Sequence, residues 1–364
     1  MPEHSLTRLR AHELERPVQR PEGIEDNAVV TVLRVPPESS GMRVDRFVQS
    51  QLRRTSRTRV QEILRRSAYD DAAVPLRAGA RVRAEQLVCL WRAAWDEVGD
   101  PEIQIPILFE DEALLAVNKP AMIPVHPSAR YYRTTVVKML EALRPEQRLH
   151  LAHRLDRETS GVLLLAKRPD ADRHVKRQFQ GQDPVSGRFD HVRRVEKSYL
   201  AIVRGAPEAM SFRIDLPLCP DESPLRVKMR VAHPDEAAAL TAATRVEVLG
   251  QRTDRASGVG YALVRCHLET GRQHQIRVHL AATGNPVLGD KLYGGQGDDT
   301  FRRSSDGNMT DEDLALLVHP RHALHAERLM LMHPDRDGET IAIEAPLAAD
   351  LQAFWDGLGT TRSE

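Results

Sequence analysis

The stretch HRLDRETSGVLLLAK, His153 to Lys167, decides how this chain is read. Its apolar run, Val162 to Leu165, reads as a buried strand. The polar residues before it read as a loop delivered onto the start of that strand. Gly161 marks the junction, where a bare Cα permits a sharp turn or a close backbone approach. Asp156 lies in the loop with Arg154 and Arg157 beside it, and neighbouring guanidinium groups favour the ionised carboxylate. A carboxylate held against a rigid strand can serve as nucleophile or base. A surface Asp–Arg pair closing a loop has the same local pattern, so the stretch by itself leaves both readings open.

Two later segments carry complementary chemistry. TGRQHQIRVHL, Thr270 to Leu280, continues to PVLGDKLYG, Pro286 to Gly294. Ile276 and Leu280 are spaced i,i+4, and Gly284-Asn285-Pro286 is a helix stop. The pattern predicts a helix with one apolar face and a second face bearing Gln273, Arg277 and nearby histidines. An arginine on a packed helix is a fixed partner for a carboxylate or half of a structural ion pair. VEKSYLAIVRG, Val195 to Gly205, reads as a strand with Tyr199 at its start. A tyrosine at a cleft edge can stack a base and donate one hydrogen bond; one at a core edge only packs.

Composition bounds the rest. The 364 residues balance 52 Lys and Arg against 52 Asp and Glu, with 41% hydrophobic residues. That length suggests two domains, and that apolar content excludes a wholly disordered chain. No run approaches the ~18 apolar residues of a membrane helix. The start, MPEHSLTRLR, is charged and has no apolar export core. Cys89, Cys219 and Cys266 form neither a disulfide framework nor a zinc spacing, which fits a reducing cytoplasm. His150 and His153, like His274 and His279, have no acidic ligand at a helical offset, and HExxH is absent. Neither GxGxxG nor GxxxxGK[ST] occurs. No metal and no cofactor are therefore expected.

Along the chain, residues 1–40 read as a weakly structured tail with one short strand, Ala28 to Val35. Residues 41–98 read as a small module of two basic helices and a strand unit, including a strand from Arg81 to Leu90. Between Arg43 and Arg66 there are eight Arg against Asp45 and Glu62, a net +6 in a neutral protein. Such a face can track phosphates, although an ordinary solvated helix face looks the same. Residues 99–358 alternate short apolar strands and helices and read as α+β. Residues 359–364 read as a tail. Two stretches, Gly181 to Arg194 and Gly294 to Thr310, read as loop insertions.

Taken in order, the three chemical segments resemble the motifs of the RluA-type family of RNA pseudouridine synthases. HRLDRETSG resembles the motif holding that family's catalytic aspartate, which implies this role for Asp156. VEKSYLAIVRG is similar to the second motif and implies a base-stacking role for Tyr199. The Thr270 to Gly294 region resembles the third and implies that Arg277 pairs with Asp156. NKPAMIPVHP, Asn118 to Pro127, and RHALHAERLML, Arg321 to Leu331, are similar to flanking family segments. The module resembles the alpha-L RNA-binding domain that many large-subunit rRNA members carry. Met122 stands where that family has glycine, and both insertions are longer than usual.

The resemblance implies an α+β fold: a mixed, largely antiparallel sheet core with flanking helices and a central catalytic cleft, plus the alpha-L-like domain. It implies isomerisation of uridine to pseudouridine without metal or cofactor. Arg154, Ile276, His153, Thr159, Arg57 and Arg59 are expected to bind substrate. The expected partner is RNA, large-subunit rRNA above all, and the expected state is a cytoplasmic monomer off the membrane. A tRNA-modifying synthase and a catalytically silent ribosome-assembly factor remain the alternative readings.

Overall fold

A computed structural model describes residues 8–9, 14, 16–25, 28–52, 57–92, 103–127, 131, 134–182, 195–223, 227–233, 235–295 and 297–360. The chain divides into two compact units, residues 1–97 and 98–364.

The first unit holds a four-stranded antiparallel sheet in the order Arg8–Leu9, Val29–Arg34, Leu87–Arg92, Ala68–Tyr69. Helices Val44–Gln51 and Arg57–Ser67 pack their apolar stripes, Val44, Phe47 and Val48 with Val60 and Leu64, on Leu33, Val88 and Leu90. That packing corrects two expectations. Val29–Arg34 is not a strand in a loose tail: it is a central strand, paired on both sides. The strand expected from Arg81 begins only at Leu87, because Glu85 takes a left-handed φ of 64° and interrupts the extended run. The side chains of Arg57 and Arg59 lie outside the described residues.

The second unit is built on an 11-stranded sheet. Its main path runs Ser211–Asp215, Ala243–Thr253, Gly260–Leu268, Glu196–Arg204, Leu324–Met332, Ser160–Ala166, Leu114–Lys119, Ile107–Glu110. Neighbours are antiparallel except Leu324–Met332 beside Ser160–Ala166, which run parallel. Val162 and Leu164 bury on one face of the sheet, Leu163 and Leu165 on the other. Burial on both faces is why that strand reads as an unbroken apolar run.

Register then sets the site. Gly161 lies opposite Ala326, Ala326 opposite Tyr199, and Tyr199 opposite Cys266. The loop ahead of Gly161 thus opens level with Tyr199, one strand removed. Gly161 has φ 106°, and a Cβ there would stand 2.1 Å from the carbonyl oxygen of Ala326. Only glycine lets these two strands meet.

Gly294 to Thr310, expected as a loop, contains the helix Asp298–Asp306, stopped by Gly307 at φ 74°. Acidic residues in its first turn, and Arg303 donating from Nε to Asp313 at 2.6 Å, stabilise a helix whose polar sequence hides its period. Gly359–Thr360, expected within a tail, pairs with Ala243–Thr253. In the other insertion, residues 183–194 lie outside the described residues.

Candidate active site

A cleft of about 250 Å³ opens in the second unit, lined by Arg154, Asp156, Thr159, Tyr199, Ile276 and Arg277 among others. Asp156 is the reachable acid, with its side chain 31% exposed. Its Oδ2 accepts from Arg277 Nη1 at 3.0 Å. The structure therefore brings together the carboxylate, the tyrosine and the arginine singled out in the sequence.

Arg277 sits on the helix Gln275–Ala282, which is buried nearly all round, unlike the two-faced helix expected. Polar anchors explain the difference. Gln275 Nε2 donates to Ala243 O and Thr244 Oγ1, each at 2.9 Å, and its Oε1 accepts from the Arg272 amide at 3.0 Å. One turn on, His279 bonds Thr244 Oγ1 and Leu216 O at 3.0 and 2.9 Å. With that face fixed to the sheet, Arg277 is turned to the cleft.

The guanidinium is held from behind by Asp290, which the sequence reading did not single out. Arg277 Nε and Nη2 donate to its two oxygens at 2.6 and 2.8 Å. Asp290 also accepts the amides of Leu292 and Tyr293 at 2.9 and 3.1 Å. Burial pushes its carboxyl up, but the Arg277 charge and these hydrogen bonds outweigh that and hold it below the usual range. Its neighbour Lys291 donates to both oxygens of Glu158, at 2.9 and 3.0 Å, and so ties down the loop two residues after Asp156. An acid beside a lysine in the glycine-bounded LGDKLYG was the available signal for both clamps.

The remaining expected residues divide. Thr159 faces the cleft while its hydroxyl pairs with His322 Nε2 at 2.8 Å. Ile276 supplies apolar wall and Arg154 an exposed rim. His153 does not serve the cleft, which corrects its expected substrate role. Its Nε2 accepts the Leu164 amide at 3.1 Å and its ring stacks on Phe179. Burial, with Lys197 nearby, lowers its pKa to about 3 and keeps it neutral. Arg157 also turns away from Asp156, donating to Tyr131 OH at 2.7 Å, so the acid's guanidinium partner is Arg277 rather than its sequence neighbour. Among the described residues, no three of His, Cys, Asp and Glu converge as metal ligands, and no helix is long and apolar enough to cross a membrane.

Comparison with known proteins places this fold and its cleft among the RNA-modifying synthases. Residues 113–282 match the family model described as RNA pseudouridylate synthase. A protein of Nitrosomonas europaea named ribosomal large subunit pseudouridine synthase D is 32% identical over 340 residues, covering 91% of this chain and 89% of that protein. One of Escherichia coli K12 named ribosomal large subunit pseudouridine synthase C is 32% identical over 348 residues, covering 92% and 98%. The solved structure of human RNA pseudouridylate synthase domain containing 1 superposes with a TM-score of 0.52 at 26% identity, over 69% of this chain and 86% of that one. The chain belongs to the RluA-type family of RNA pseudouridine synthases. With the family comes its reaction, the isomerisation of uridine in RNA to pseudouridine.

Proposed function

We propose that this enzyme modifies one or more uridines of large-subunit ribosomal RNA, with Asp156 as its catalytic carboxylate. The observation that carries this reading is the contact of Asp156 Oδ2 with Arg277 Nη1 at 3.0 Å, in a cleft that Tyr199 also lines. The reaction breaks the bond from ribose to ring nitrogen, turns the free uracil and joins ribose to ring carbon 5. Atoms balance without an added reactant. Asp156 either adds to the substrate or takes a proton from it; both need a carboxylate in a fixed pose, which the contact with Arg277 supplies.

Tyr199 stacks under the extruded uracil, and Ile276 helps to shut out water while the base is free. Extrusion from the RNA stack costs a few kcal/mol. Basic groups on the RNA backbone offset it: Arg154 at the cleft rim and, in the 41–98 module, Arg57 and Arg59. The substrate assignment draws on the relatives named for the ribosomal large subunit. Three buried free thiols, Cys89, Cys219 and Cys266, support a reducing, cytoplasmic setting.

The test is Asp156→Asn with unmodified large-subunit rRNA as substrate and tRNA in parallel. The variant is expected to bind RNA and fold as wild type while forming no pseudouridine. Turnover near wild type would remove the carboxylate from the reaction, and modification of tRNA alone would redirect the substrate.

A further inference from the structure

His274 stands beside Asp156 without a role in the reading above. It precedes the helix Gln275–Ala282, with backbone φ 55° and a side chain only 9% exposed. Its Nε2 lies 3.7 Å from Asp156 Oδ2, the oxygen that also accepts from Arg277 Nη1. Its Nδ1 lies 2.8 Å from the Tyr293 hydroxyl. That hydroxyl oxygen in turn accepts the Met229 amide at 2.9 Å.

These contacts bear on where the imidazole proton sits. A phenol carries one proton. The Met229 amide already donates to the Tyr293 oxygen, and the only other hydrogen-bond partner of that hydroxyl among the described residues is His274 Nδ1. With the phenol proton directed to Nδ1, the neutral ring carries its own proton on Nε2, facing the carboxylate. Burial, and the Arg277 guanidinium beside it, lower the ring's pKa to about 4 and keep it neutral.

We propose that His274 is a positioning residue for this synthase: a neutral Nε2–H donor, its tautomer set by Tyr293, that draws Asp156 Oδ2 toward the Arg277 side and presents Oδ1 to the substrate. The proposal rests on Asp156 being the catalytic carboxylate. Without such a device the two oxygens of a carboxylate are interchangeable by rotation about its last bond. Two donors gathered on Oδ2 break that equivalence. The 3.7 Å separation comes within hydrogen-bond range after a shift of about 0.5 Å, and such contacts commonly tighten once substrate is bound. A neutral donor also steers the acid without placing a second full charge against Arg277.

The experiment compares His274→Gln with His274→Asn in the full chain, on large-subunit rRNA. Glutamine places an amide nitrogen where Nε2 stands, whereas asparagine reaches only the Nδ1 position, and asparagine accepts the left-handed backbone. The glutamine variant is expected to keep kcat within about threefold of wild type, and the asparagine variant to lose about tenfold or more, both with KM unchanged. Nitrogen-15 NMR of labelled histidine should show the Nε2–H tautomer at position 274, identified by its loss in His274→Asn, and a tautomer mixture in Tyr293→Phe. An Nδ1–H tautomer in wild type, or equal kcat in both variants, overturns the proposal. Asp156→Asn run alongside separates the two levels. If it is inactive while His274→Asn turns over as wild type, only the positioning role falls; if it is active, the reading beneath falls.

Discussion

The Arg277 guanidinium grips Asp290 with two nitrogens, at 2.6 and 2.8 Å, and has one nitrogen, Nη1, directed to Asp156 at 3.0 Å. Asp290 is fully buried and Arg277 nearly so. Burial works against the arginine's charge, and the carboxylate of Asp290, ahead of that of Asp156, more than restores it. Removing Asp290 leaves the buried side of Arg277 without a carboxylate, with only the partly exposed Asp156 still paired to it. Asp290→Ala should lower unfolding stability by about 3–5 kcal/mol. It should also reduce kcat, because Arg277 loses the support that aims it. Urea unfolding and single-turnover kinetics check the two effects, and an unchanged midpoint would show that the pair does not carry the helix.

Gly161 joins the catalytic loop to its strand at φ 106°, with the backbone of Ala326 where a Cβ would go. The obstacle is the main chain of Ala326, so no side chain can swing away. Gly161→Ala should cost roughly 3 kcal/mol through strain and overpacking together. It should also displace Asp156 relative to Tyr199, since Ala326 is in register with both Gly161 and Tyr199. A thermal midpoint equal to wild type would contradict the close approach.

His153 makes stability depend on pH. Its folded pKa, about 3, lies below the unfolded value near 6.5. The unfolded chain therefore binds the extra proton across that window. Stability from this group is complete above about pH 6.5 and is lost as pH falls toward 3, with a slope of at most about 1.4 kcal/mol per pH unit. His153→Gln can still accept the Leu164 amide but cannot titrate. Its unfolding free energy, followed between pH 4 and 6, should fall less steeply than that of wild type by up to that slope. Parallel curves would mean that the ring is already protonated in the folded protein.

What could be read from the sequence, and what could not, has a physical pattern. Asp156, Tyr199 and Arg277 are legible because their three segments, in order, resemble family motifs; the local pattern alone is shared with a loop-closing ion pair, a core-edge tyrosine and a structural arginine. His153 adjoins the same loop, yet it stacks on Phe179 and accepts the Leu164 amide instead of facing the cleft. Chain adjacency says nothing about direction once a loop turns. Asp290 is not legible in the sequence because its purpose is set by a residue 13 positions earlier, and a buried arginine's need for a second carboxylate is visible only in space. His274 became meaningful only with Tyr293 and Met229 in place. Val29–Arg34 read as isolated because its larger partner strand, Leu87–Arg92, is more than fifty residues away.

The net +6 between Arg43 and Arg66 yields a prediction about salt rather than about affinity alone. If Arg57, Arg59 and Arg65 each neutralise one phosphate, each releases condensed counterions on binding. The dependence of log K on log salt should then flatten by about 0.7–0.9 for each arginine replaced. The triple variant Arg57→Gln, Arg59→Gln, Arg65→Gln should bind large-subunit rRNA more weakly at low salt and approach wild type as salt rises. Its kcat at saturating RNA should stay close to wild type if the proposed role of these residues is to bring the substrate in. Affinity can be measured by filter binding across a salt series. A variant whose affinity drops equally at every salt concentration would have lost shape rather than charge, and the module would then recognise RNA by some means other than its arginine face.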